Sequence, residues 1–70
     1  MEKIILTLTQ YHQIIENKPW VVGDIKNLDT LLLILQERDK AVYLTWDDVE
    51  VMRLEFDPQE TNQIKEVPLS

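Results

Sequence analysis

The apolar positions of this chain fall into short blocks separated by polar interruptions, and the spacing within each block predicts an element. Lys3 to Thr9 (KIILTLT) is β-branched, apolar and ends in threonines, the composition of a first strand. In the next stretch Tyr11, Ile14 and Ile15 recur at i, i+3, i+4 and share a helical face with Leu8, which predicts a short helix over 10–17. Thr9 is one possible cap for it, and Thr7 with Gln10 matches a capping box. Asn17 before Lys18-Pro19 supplies the stop, because proline cannot continue a helix. The rival reading continues the strand and folds it back at 16–19.

Trp20-Val21-Val22 reads as a strand kinked at Gly23, the chain's only glycine. The block from Thr30 to Leu35 shows neither period, since five aliphatic residues run together. A strand here is buried on both faces. A helix is apolar nearly all round and asks for burial that so short a chain can hardly provide, although leucine's own propensity favours it. The strand is the expectation, and Glu37-Arg38-Asp39-Lys40 then becomes a charged hairpin turn into Ala41–Trp46 (AVYLTW). Asp47-Asp48 breaks the pattern. Val49–Phe56 follows as a last strand, or as a helix capped by Thr45, and Asp57-Pro58 closes it. Residues 59–70 keep only Ile64, Val67 and Leu69 as apolar anchors and form a polar tail or a late edge strand beside a single domain over 1–58.

The fold expected is therefore α+β and strand-rich: a bent sheet or open barrel of about five strands with one short helix. The alternative puts a second helix at 27–38, giving two helices on a four-stranded sheet. Trp20 and Trp46 are assigned to the core, because two indoles supply much of what a small domain can bury.

Composition narrows the function. Seventy residues make one domain at most, and such a chain buries only about 60% of its unfolded surface. Chains of this size often lean on disulfides, a metal or self-association. With no cysteine, disulfides and thiolate zinc sites are excluded, and a homo-oligomer becomes a live expectation. The net charge is −6. After Thr45 the acids Asp47, Asp48, Glu50, Glu55, Asp57, Glu60 and Glu66 face only Arg53 and Lys65, while the earlier chain is nearly balanced. Such a chain is unsuited to generic phosphate-backbone binding, which relies on Lys and Arg. An acidic edge suits a basic protein surface; its bland reading is solubility. The partner-binding residues expected on this basis are Asp47, Asp48, Glu50 and Glu55, with Trp46 as the apolar anchor if it is exposed. No apolar run approaches a membrane span, so a soluble cytoplasmic protein is expected.

Catalytic chemistry finds little material. Ser70 is the only serine, one glycine cannot build a phosphate-cradling loop, and His12 lacks a ligand or base companion. Asp47, Asp48 and Glu50 lack the spacing of a calcium loop and read as a charged turn. Neither enzymatic activity nor a cofactor or metal is expected.

Gly23-x-Ile25-x-x-Leu28-Asp29, followed by an aliphatic block and a strand ending in Trp46, resembles the central part of the Sm-like (Hfq/Sm) fold over Val21–Val51. The resemblance implies a strongly bent SH3/Sm-like barrel assembled into a ring that binds uridine-rich or adenosine-rich RNA. On that reading Lys26, Asn27 and Asp29 face the RNA. Two departures stand against it. Leu33 occupies the place of the family's RNA-contacting asparagine, and Leu44-Thr45-Trp46 with two acids replaces the Arg-Gly or Tyr-Lys-His motif.

Overall fold

The computed structural model describes residues 1–19 and 23–69. The expected strand at Trp20–Val22, and the placing of Trp20 in the core, fall outside them. In chain order the elements are β1 (Glu2–Thr7), α1 (Leu8–Ile15), α2 (Leu28–Leu35), β2 (Lys40–Trp46), β3 (Val49–Phe56) and β4 (Ile64–Pro68). The strands form one open sheet in the order β1-β2-β3-β4; β1 and β2 are parallel and the other two pairs antiparallel. A parallel pair needs a crossover, and the stretch containing α1 and α2 supplies it. This is the small α+β domain with two helices on four strands. The sheet is open rather than closed into a barrel, with four strands instead of about five among the described residues.

β1 passes into α1 without a loop. Thr7 Oγ1 accepts the Gln10 N–H (3.0 Å) and Gln10 Oε1 accepts the Thr7 N–H (2.9 Å), so the capping box settles the cap on Thr7 rather than Thr9. The helix starts at Leu8, two residues before the expected boundary. At its other end Asn17 takes a left-handed conformation (φ 56°). The Asn17 N–H bonds to Ile14 O and the Lys18 N–H to Gln13 O, the pairing of a Schellman stop.

The aliphatic block is helical, which corrects the strand expected at Thr30–Leu35. Asn27 decides its start: the side chain accepts the Thr30 N–H at 2.8 Å, and Asp29 sits favourably in the first turn. The expectation failed because it demanded burial all round. Leu31 is fully buried while Leu33 is 66% exposed, so α2 packs one side on the sheet and leaves the other to solvent. Residues 36–39 accordingly join α2 to β2, and the hairpin turn lies elsewhere, at Asp47-Asp48. Gly23 belongs to a bend leading into α2, at φ 121°, a backbone region that side chains rarely tolerate.

One face of the sheet carries the core. Leu6, Val42, Leu44 and Leu54 alternate inward along their strands, joined by Ile64 of β4, Tyr11 and Ile14 of α1, Ile25 of the connection, and Leu31. β3 is a strand throughout, so the helix capped by Thr45 does not form. Between Leu44↔Met52 and Thr45↔Glu50 the register shifts, leaving Val51 as an extra, bulged residue. Within 59–70, β4 is the late edge strand, anchored by buried Ile64.

Candidate protein-docking surface

The hairpin between β2 and β3 places the expected acidic residues. Only Asp47 and Asp48 separate the paired residues Trp46 and Val49, and both aspartates have positive φ (55° and 64°). A two-residue loop with both centres left-handed is a type I′ turn, whose twist matches that of the flanking strands. Trp46 and Val49 are directly opposite on the same face of the ladder, and each is 60% exposed. This corrects the assignment of Trp46 to the core. Val42 and Leu44, four and two residues earlier, are fully buried. The inward alternation of β2 outruns the core at Trp46, which stands at the strand's end beside the turn.

The tip therefore joins an indole, a valine and two carboxylates. Among the described residues neither Asp47 nor Asp48 makes an ion pair. Glu50 is placed differently. It pairs with Lys3 on the sheet face that no helix covers, where the Lys3 ammonium also sits 4.7 Å from the Tyr43 ring centroid. Glu55 is bound by Arg53, roughly 16 Å further along β3 from Glu50 at strand spacing. Of the five expected partner-binding residues, Trp46, Asp47 and Asp48 come together, Glu50 borders them, and Glu55 does not join them. Val49 belongs with them and was missed. Reading Asp47-Asp48 as a two-residue hairpin turn would have found it, because such a turn sets the flanking residues opposite each other.

The residues that the Sm-like resemblance assigned to RNA lie at the start of α2. Asn27 is the helix cap and Asp29 a first-turn acid, while Lys26 is exposed just before them. His12 is exposed on α1, its ring edge-on to Tyr11 with centroids 5.9 Å apart. Tyr11 is buried, and its hydroxyl donates to Glu66 Oε2 at 2.8 Å. Burial, reinforced by that bond and by the carboxylate's charge, pushes the phenol well above its ordinary range. The Lys40 ammonium is likewise raised, chiefly by its hydrogen bond to Glu37 at 2.8 Å.

An open cleft between the end of α2 and β2–β3 is lined by Leu35, Lys40, Tyr43, Arg53 and Phe56. The Lys40 and Arg53 side chains there are already paired with Glu37 and Glu55, so neither is free to hold an anion. Among the described residues no three His, Cys, Asp or Glu side chains converge to hold a metal ion, and no helix is long and apolar enough to cross a membrane. Compared with protein-family models, curated proteins and solved structures, the chain has no match.

Proposed function

We propose that this chain is a small acidic interaction module that acts by docking on a basic protein surface through the tip of its β2–β3 hairpin. One observation carries the reading: Trp46, with Val49 beside it, is largely exposed on a tight turn whose two carboxylates have no ion-pair partner among the described residues. Tryptophan is the residue type most enriched where binding energy concentrates, and a rigid turn loses little entropy on docking. Asp47 and Asp48, with Glu50 behind them, steer and orient a cationic partner. Glu55 contributes only to the general negative field. A basic cleft of a nucleic-acid enzyme is one concrete partner, and occupying it would make the module an inhibitor.

The test begins with partners captured by the tagged chain and identified, whose affinities are then measured for three proteins. Trp46→Ala should weaken binding by at least tenfold, and Asp47→Lys with Asp48→Lys should abolish it, both with unchanged circular dichroism. Retention of the same partners by the double variant sinks the reading. An Sm-like ring contacting RNA through Lys26, Asn27 and Asp29 responds differently. It loses RNA on Lys26→Glu, whereas protein docking at the hairpin is indifferent to that change.

A further inference from the structure

The strand at the other side of the sheet points to a second surface, independent of the hairpin tip. In a parallel ladder the N–H and C=O of alternate residues point to the same neighbour. The Glu2 N–H bonds to Asp39 O, and Leu6 O accepts from Thr45 Oγ1, so Glu2, Ile4 and Leu6 direct their backbone groups towards β2. Lys3, Ile5 and Thr7 consequently direct theirs to the free edge. The Thr7 N–H is already held by Gln10 in the capping box. Among the described residues, what remains open is a run of two donors and two acceptors, the N–H and C=O of Lys3 and Ile5. β1 has no proline or bulge to blunt this edge, whereas the opposite edge strand, β4, has five residues and ends in Pro68.

We infer that β1 pairs antiparallel with β1 of a second copy of this chain, in the register that sets Lys3 opposite Ile5 of that copy and Ile4 opposite its own equivalent. Three observations fit a second copy to this edge. The first is hydrogen bonding. Two-fold symmetry in this register makes Lys3 and Ile5 hydrogen-bonded partners twice over, which satisfies all four open groups on each chain and leaves the Thr7 cap untouched. Shifting by two residues, to Ile5 opposite Ile5, would draw Thr7 into the ladder against its cap.

The second is charge. Two copies with net charge −6 repel each other, but β1 carries one acid and one base, Glu2 and Lys3, and this register opposes no like charges across the seam. The third is side-chain placement. Ile5 is 54% exposed on the uncovered face and Ile4 is half-buried on the helix side, so pairing removes apolar surface from water on both faces.

Sedimentation velocity over a concentration series, on the full chain, tests the inference with substitutions at Ile5, whose side chain is outside the core. The expected result is a monomer–dimer equilibrium that tightens as salt is raised from 0.05 to roughly 0.5 M, because screening relieves the repulsion between acidic copies. Ile5→Lys sets two Lys–Lys pairs across the seam and should weaken dimerisation at least tenfold. Ile5→Glu sets two Lys3–Glu pairs instead and should keep or tighten it. Circular dichroism at dilute concentration verifies that each variant is folded. The inference is overturned if the wild type stays monomeric to millimolar concentration, which would leave the edge to a strand of another protein. It is also overturned if Ile5→Lys dimerises as well as the wild type, or if Ile5→Glu dissociates the dimer as Ile5→Lys does. The charge-neutral hairpin-tip variant Trp46→Ala leaves this equilibrium unchanged, so its failure and that of the docking reading are separable.

Discussion

Replacing Asp48 with glycine should stabilise the fold while weakening the surface assigned to partner docking. Asp48 holds φ 64°, at the second centre of a two-residue turn where glycine is the preferred type. A left-handed conformation costs an L-residue about 1–2 kcal/mol, less for aspartate than for most because its short side chain can bond locally. Glycine removes that cost but adds freedom to the unfolded chain, an offset of about 0.5–1 kcal/mol. The net gain is at most about 1 kcal/mol, and loss of the repulsion between adjacent carboxylates acts in the same direction. For a domain this small, 1 kcal/mol moves the thermal midpoint by roughly 4–8 °C. Urea denaturation should show a higher midpoint with an unchanged slope. Asp48→Ala keeps the Cβ at a left-handed angle that alanine adopts less readily than aspartate, so it should lower the midpoint. If glycine and alanine shift stability in the same direction, the turn does not hold the strain assigned to it. The captured partner should meanwhile bind Asp48→Gly more weakly than wild type, moving affinity and stability in opposite directions.

Other predictions concern the core, the cap and pH. Leu31→Ala should cost about 2–5 kcal/mol by urea denaturation, because it opens a cavity under α2, while Leu33→Gln on the exposed side of the same helix should change stability by less than about 0.5 kcal/mol. Thr7→Ala removes half of the capping box and should lower stability by about 1 kcal/mol. Tyr11 keeps its proton to higher pH in the folded state than when unfolded, where it titrates near 10. Its contribution is therefore complete below about pH 10 and declines as pH rises beyond it, and Tyr11→Phe should flatten that alkaline decline. An alkaline limb identical in both proteins would refute the Tyr11–Glu66 assignment.

The elements legible in the sequence were those whose pattern is set locally. β1 and β2 announce themselves through β-branched and alternating residues, β3 alternates too but left a helix capped by Thr45 open, and the spacing of Thr7 with Gln10 was one of two starts open to α1. Leu31–Leu35 was unreadable by period because every position is apolar, and what decided it was Asn27, a single capping side chain four residues upstream of Leu31. Trp46 was misassigned for a different reason. Its place in the alternation is inward, but whether a core lies beneath it depends on how far the helices extend over the sheet, a tertiary fact with no local signature. The same limit applies to the candidate site: acidic residues could be counted along the chain, but the grouping of Trp46 with Val49 follows from a turn geometry that Asp-Asp signals only weakly.

The pairing of Glu2 with Lys40 joins residues separated by more than half the chain, whereas β2, β3 and β4 meet through short neighbouring turns. Local contacts form before distant ones, because closing a long loop carries the larger entropy loss. The three-stranded meander can therefore assemble first, with β1 docking last as the rate-limiting event. Until it docks, β2 stands as a naked border strand with its aliphatic face uncovered, and that interval is when the chain is most vulnerable to aggregation.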